Sequence, residues 1–265
     1  MPVADGPLAG WRVLVTRPQQ QAAPFAAALA DAGATPIIYP TIELAPPPSW
    51  QPLDDALARL PDYGWVVFTS ASAAEQTLDR ARSRGISATS FAAVRVAAVG
   101  DQTARAVRGR GLNVDLVPAA DQQRQEGLLE GMLAALRATA PPFRGEPGRD
   151  KPILFPQALG GRELLRDQLV AAGYTVEVVP VSQTLARDLG EAPPGFDVAT
   201  FASPSALRAF VAGCGLESLA GARVAVIGPT TAAEAATLGV RVDAMATTPS
   251  VEALVQALLD LRRAN

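Results

Sequence analysis

Histidine is absent from the chain, and that absence removes most of the common acid-base chemistry. Without an imidazole there is no Ser-His-Asp or Cys-His nucleophile, no histidine-ligated zinc and no histidine general base. Cysteine occurs once, at Cys214, which excludes an intramolecular disulfide and fits a reducing compartment. Aromatic residues make up only 5% of the sequence, and Tyr39, Tyr63 and Tyr174 read as half-buried core rings rather than proton donors. Positive charge is scarce as well: 23 Lys and Arg stand against 26 Asp and Glu, a formal net charge of -3. Nucleic acid and anionic membrane surfaces are therefore poor main partners, and any anion must be attracted locally. Nowhere do 18 uncharged apolar residues run together, and the opening "MPVADGPLAGW" has neither a basic region nor an apolar run, so a cytoplasmic protein is expected. Neither G-x-G-x-x-G nor G-x-x-x-x-G-K-[ST] occurs; "GRG" at 109–111 and "LGG" at 159–161 fall short of both. No nucleotide, other cofactor or metal is expected.

What the chain does contain is a repeated α/β pattern. Its 265 residues, 49% hydrophobic and 18% charged, suffice for two modest domains or one large one. Short β-branched runs alternate with alanine-rich stretches, the pattern of a parallel sheet covered by helices. "WRVLVTRP" predicts a strand ending at Thr16, then a helix from about Gln19 to Ala32, stopped by Gly33. "ALADAGATPIIYPTIEL" matches "QLVAAGYTVEVVPVSQT", aligning Gly33 with Gly173 and Pro40 with Pro180, and "KPILFP" repeats the first strand. "WVVFTSASAAEQTL" matches "VATFASPSALRAF", aligning Ser70 with Ser203 and Ser72 with Ser205. "VRVAAVGDQTARAVRGRGLNVDLVPA" matches "ARVAVIGPTTAAEAATLGVRVDAMAT", aligning Gly100 with Gly228, Thr103 with Thr231 and Gly111 with Gly239. Three ordered units sharing Gly, Ser, Thr and Pro positions indicate an internal duplication. Two proline-rich stretches, "APPPSWQP" from Ala45 and "APPFRGEPGRD" from Ala140, cannot be helix interiors, and the second reads as a solvated surface excursion.

The duplicated turns carry the chemistry. In each strand-to-helix turn a hydroxyl is expected at the N-cap, where the first helical turn leaves amide N–H groups unpaired. Capping alone would contribute about 1 kcal/mol per site. The same free amides, with the helix dipole, also suit a carboxylate or phosphate. Four such turns recur: Thr69 with Ser70, Gln102 with Thr103, Ser203 with Ser205, and Thr230 with Thr231. In doubly wound sheets these turns lie at the carboxyl ends of the strands, where ligands bind, so a ligand with several carboxylates fits them. Arg17, just after the first strand, is either a further carboxylate anchor or a plain surface arginine. Asp31, Asp54 and Asp55 read as solvated helix faces.

Taken in order, "VLVTRP", "VVFTSASA", "VAAVGDQTARAV", "ATFASPSALRAF", "VAVIGPTTAAEAATLG" and "TPSVEALVQAL" resemble the uroporphyrinogen-III synthase family over almost the whole chain. That resemblance implies a cofactor-free, metal-free lyase, which cyclises the linear tetrapyrrole hydroxymethylbilane with inversion of the last pyrrole ring and loss of water. It implies two similar domains with parallel, doubly wound, flavodoxin-like sheets, joined by a two-stranded linker that the chain crosses twice. Carried onto this sequence, 1–41 with 186–265 forms one domain, 46–178 the other, and 42–45 with 179–185 the linker. The residues alone leave this exchanged arrangement and two sequential halves both open. The site that the resemblance implies comprises Thr103 and Thr231 close to the chemistry, and Arg17, Thr69, Ser70, Gln102, Ser182, Ser203, Ser205 and Thr230 on the substrate. It also leaves room for a transient contact with the enzyme that supplies the bilane. One position departs from the family: relatives carry a tyrosine, the best candidate for assisting departure of the hydroxyl, where this chain has Ser182. The alternative from a different class is a non-catalytic two-domain module that binds a tetrapyrrole or another polycarboxylate.

Overall fold

A computed structural model describes residues 6–139 and 151–264; the whole of the "APPFRGEPGRD" stretch lies outside the described residues. Backbone packing divides the chain into two compact units, Met1–Leu44 with Thr184–Asn265, and Ala45–Gln183.

In the first unit the strands are β1 (Arg12–Val15), β2 (Thr35–Ile38), β8 (Val198–Phe201), β9 (Arg223–Val226) and β10 (Ala244–Met245). The sheet order is β10-β9-β8-β1-β2, and the paired strands are parallel. Helix α1 (Gln19–Asp31) follows β1, α7 (Pro204–Cys214) follows β8, α8 (Pro229–Thr237) follows β9 and α9 (Val251–Arg263) follows β10. Alternation along β1 sorts the helices onto two faces. Val13 and Val15 pack with Phe25 and Leu29 of α1 and with Leu254 and Leu258 of α9. Leu14 packs with Leu207 and Phe210 of α7 and with Ala235 of α8. Residues of β1 and β8 are thus buried on both sides, which is why these strands carry no charged residue beyond Arg12 and are mostly apolar. Each fully buried Leu or Phe here contributes about 1.5–3 kcal/mol.

The second unit contains β4 (Trp65–Phe68), β5 (Arg95–Ala98), β6 (Ile153–Ala158) and most of β7 (Val176–Ala186), with β3 (Ile42–Ala45) at the sheet edge. The sheet order is β3-β7-β6-β4-β5, and a parallel bridge from Ala97 to Leu116 extends it. Helices α2 (Gln51–Ala58), α3 (Ala71–Ser83), α4 (Asp101–Arg108), α5 (Gln125–Thr139) and α6 (Leu164–Ala171) complete it. Val66 and Phe68 pack with α2, α3 and α4, whereas Trp65 and Val67 pack with α5 and α6. The unit boundaries fall within β3 and β7, so the chain passes between units through these two neighbouring strands.

The duplication is visible in the two topologies. Read from β7, the second sheet runs β7-β6-β4-β5, matching β2-β1-β8-β9 of the first. Smaller features repeat with it. Gly33 and Gly173 end α1 and α6 with φ of 91° and 92°, a left-handed conformation that favours glycine. Asp115 Oδ2 accepts a hydrogen bond from the Val96 amide at 2.8 Å, and Asp243 Oδ2 accepts one from the Val224 amide at 2.9 Å. One expectation needs correction here. Asp54 is no solvated helix-face residue: it accepts bonds of 2.8 and 2.6 Å from Arg80 Nε and Nη2, because that face of α2 packs on α3.

Candidate functional site

The two helix faces diverge where the chain order of a doubly wound sheet reverses, and this opens a crevice beyond the carboxyl ends of the strands. In the first unit the reversal lies between β1 and β8. Two buried threonines tie these strands together: Thr16 Oγ1 donates to the Thr200 carbonyl at 2.7 Å, and Thr200 Oγ1 to the Leu14 carbonyl at 2.6 Å. Thr41 Oγ1 donates to the Ala206 carbonyl at 3.0 Å and so ties the chain after β2 to α7. The platform is held by satisfied buried hydrogen bonds, which rigidify it.

Five of the expected residues lie at this edge of the first sheet. Ser203 is the N-cap of α7; its Oγ accepts from the Ala206 amide at 3.2 Å and lies 3.0 Å from Ser205 Oγ. Thr230 is exposed and Thr231 fully buried in the first turn of α8. Arg17 stands between β1 and α1, half-buried, with Nη2 donating to Gln21 Oε1 at 3.3 Å. Burial without a counter-charge pulls the Arg17 pKa down from its ordinary value.

Four more lie at the matching edge of the second sheet, after the adjacent strands β4 and β5. Ser70 caps α3 as Ser203 caps α7, its Oγ accepting from the Ala73 amide at 3.1 Å, with Thr69 just before it. Gln102 is exposed and Thr103 buried in the first turn of α4. Ser182 lies inside β7, half-buried, in register with Ala158 beside a bulge, and its carbonyl accepts from the Leu159 amide at 2.7 Å. Thus Arg17, Ser203, Ser205, Thr230 and Thr231 belong to one unit, and Thr69, Ser70, Gln102, Thr103 and Ser182 to the other.

The N-cap expectation holds at Ser70 and Ser203 and fails at the threonine turns. There the N-caps are Gly100 and Gly228, in extended backbone with φ of -177° and 172°, and neither helix has a side-chain cap. Thr103 and Thr231 come three residues later, inside the helices. In a helix the Cα–Cβ bond tilts toward the N-terminus, so these side chains lean back over the opening turn. Thr231 Oγ1 is buried with no hydrogen-bond partner among the described residues.

Sequence reasoning missed Gln123. Its Oε1 accepts from the Asp101 amide at 3.0 Å and closes the α4 turn from outside the repeat. No local pattern marks it, since the bond joins residues 22 apart, across α4 and the loop that follows it. It also missed the Asp115 and Asp243 anchors, although both stand at matching positions of the quoted repeat. Two tyrosines hold polar partners. Tyr63 donates to Glu177 Oε2 at 2.7 Å, and burial first, then that bond, raises its pKa. Tyr39 OH contacts the Gly190 carbonyl at 3.1 Å and Cys214 Sγ at 3.4 Å; burial, then the Cys214 bond, pushes its pKa up to about 12. Both rings are therefore poor acids at neutral pH.

A family model described as HEM4, uroporphyrinogen-III synthase HemD, matches residues 23–256. The uroporphyrinogen-III synthase of Synechococcus elongatus is 33% identical over 183 residues, covering 69% of this chain and 64% of that protein. The porphyrin biosynthesis protein HemD of Ruminiclostridium josui is 36% identical over 112 residues, covering 42% of this chain and 22% of that protein. Both matches span less than two thirds of the relative's own length. A solved structure titled uroporphyrinogen-III synthetase from Helicobacter pylori aligns with a TM-score of 0.61 over 95% of this chain and 99% of that one, at 17% identity. At that identity the likeness concerns the fold.

Proposed function

Because the chain belongs to the uroporphyrinogen-III synthase family, we propose that it cyclises hydroxymethylbilane to uroporphyrinogen III. The hydroxyl of the bilane's hydroxymethyl group leaves as water, and the exposed methylene carbon bonds to the already substituted carbon of the last pyrrole ring. The spiro intermediate that results rearranges with inversion of that ring before the macrocycle closes. Water is the by-product, and no oxidant or reductant enters the balance.

The single observation that carries this reading is the orphaned Thr231 hydroxyl, buried in the first turn of α8 at the same edge of the first sheet as Ser203, the cap of α7. A buried hydroxyl without a partner costs stability, about 1–3 kcal/mol, unless a ligand completes it. Carboxylates are the matching acceptors, and the substrate carries them as acetate and propionate side chains. Thr103 and Thr231 then stand nearest the chemistry. Arg17, Thr69, Ser70, Gln102, Ser182, Ser203, Ser205 and Thr230, with neighbouring amides, hold the carboxylates. Such fixed donors accelerate a reaction by orienting its groups and stabilising charge as it develops, without an imidazole. Ser182 has no phenol to offer, so in this proposal a bound water or a neighbouring threonine assists the departing hydroxyl.

Among the described residues no helix is long and apolar enough to cross a membrane. We place the reaction in the cytoplasm, with a transient handover from the enzyme that makes the bilane, since free bilane closes spontaneously. The test is the rate at which enzymatically generated hydroxymethylbilane disappears with and without the protein. A clear acceleration is expected; tight binding of the tetrapyrrole with no acceleration would replace the synthase by a binding module.

A further inference from the structure

The two sheets are copies, yet their first strands end differently. Aligning "VLVTRP" with "ILFPQA" sets Arg17 of the first unit opposite Gln157 of the second. Gln157 is a neutral, buried side chain, 8% exposed. Arg17 is a half-buried cation whose Nε is shielded from solvent and donates to no described residue. Its one side-chain bond is the 3.3 Å contact to Gln21, and among the described residues no carboxylate pairs with it. Two other partly buried arginines are paired with carboxylates, Arg80 with Asp54 and Arg110 with Asp79. A guanidinium desolvated without a counter-charge is costly, and in native proteins such a charge is paired or meets an anion.

What surrounds Arg17 suits an anion. It stands at the point where the strand order reverses. The helix it leads into, α1, has 13 residues, has Pro18 as its N-cap with no side-chain cap, and carries no acidic residue in its first turn. Among the described residues the other orphaned polar atom of this unit, Thr231 Oγ1, lies in the first turn of α8, the helix that follows β9. Strands β1 and β9 flank β8, so the strands that lead to the two orphans are about two strand spacings apart, roughly 10 Å. A ligand with several carboxylates can meet both.

We infer that Arg17 is the charged anchor of the substrate site: it takes one carboxylate in bidentate fashion, at the first unit alone, while Gln157 leaves the copied position of the second unit neutral. The duplicated fold is thereby made polar, so that a chain of similar pyrroles is held in one direction. The inference rests on the synthase reading for the identity of the polycarboxylate, and on Arg17 itself for the site.

The test uses the full chain and two readouts. In the wild-type protein the 15Nε resonance of Arg17 is followed while sodium acetate is added, with sodium chloride at equal ionic strength as control. Acetate is expected to shift the resonance saturably and chloride not; equal shifts would mean general screening and overturn the anchor. Separately, Arg17→Gln, which copies the second unit, is expected to raise the KM for hydroxymethylbilane about 10- to 150-fold, the loss of a charged hydrogen-bonded contact. Its melting temperature is expected to stay level or rise, because the charge had no partner in the protein. Arg17→Lys keeps the charge without the fork and should recover part of the KM. A lower melting temperature with unchanged KM and an unmoved resonance would make Arg17 a structural residue and overturn the inference. Saturable acetate binding in a protein that gives no turnover would leave the anchor standing and remove the synthase reading instead.

Discussion

At the scale of single residues, binding and stability can be separated because the groups proposed to meet substrate lack partners in the protein. Thr231→Val keeps the shape of a fully buried side chain and removes only its orphaned hydroxyl. The melting temperature is expected to hold or rise, while kcat/KM for hydroxymethylbilane falls roughly 10-fold or more. Unchanged kinetics with a lower melting temperature would reduce Thr231 to a packing residue. Asp54 offers the opposite case, a polar group that serves the fold. The hydrogen bond from Arg80 holds its pKa below the ordinary carboxylate value. A depressed pKa contributes stability that is fully present above the unfolded-state value, ~3.9, and is lost as pH falls through the folded one. Arg80→Gln should therefore lower the melting temperature at pH 7 and make it less sensitive to acid below about pH 4. Circular dichroism melts across pH 2–7 measure both effects. The sequence displayed Thr231 through its place in the repeat. It did not display the pairing of Asp54, because Arg80 lies 26 residues away on another helix.

At the scale of elements, the two threonine turns have the same backbone and different occupants. A Cβ built on Gly100 would lie 2.7 Å from Gln123 Oε1 and 3.0 Å from its Cβ, whereas one built on Gly228 meets nothing within 4 Å. Both glycines are in extended backbone, so strain does not separate them. Gly100→Ala is expected to push Gln123 off the Asp101 amide and to cost about 0.5–1.5 kcal/mol more than Gly228→Ala, the worth of one hydrogen bond. Paired urea titrations check the difference, and equal costs would show that Gln123 does not cap α4. Most of this architecture was legible: β-branched runs, Gly33 and Gly173 as helix stops, and the order of the repeats each follow from local chemistry. The N-cap assignment went astray at α4 and α8 because glycine caps a helix with its backbone alone. A hydroxyl three residues later then imitates a cap in sequence while lying inside the helix.

At the scale of the whole molecule, the proposed domain limits have a physical test. Residues 45–183 include β7 as far as Val179 and Val181, 1% and 0% exposed, which close the core against α2 and α3. A fragment ending at 178 omits both valines and forfeits about 1.5–3 kcal/mol for each. We expect residues 45–183 to unfold cooperatively when expressed alone and 46–178 to be much less stable. Which stretches of chain make each unit was not legible from the residues, because a duplicated sequence supports sequential halves as well as exchanged ones. Only pairing between distant strands, such as β1 with β8, decides it.

Hydroxyls, amides and one arginine, without histidine, are proposed to fold a linear tetrapyrrole so that its last ring inverts. The measurement that tests this most directly is separation of the uroporphyrinogen isomers formed when the purified protein meets enzymatically generated hydroxymethylbilane. The type III isomer is expected in excess, with Ser182 in place. Only the type I ring that forms spontaneously, from protein shown to be folded, would contradict it.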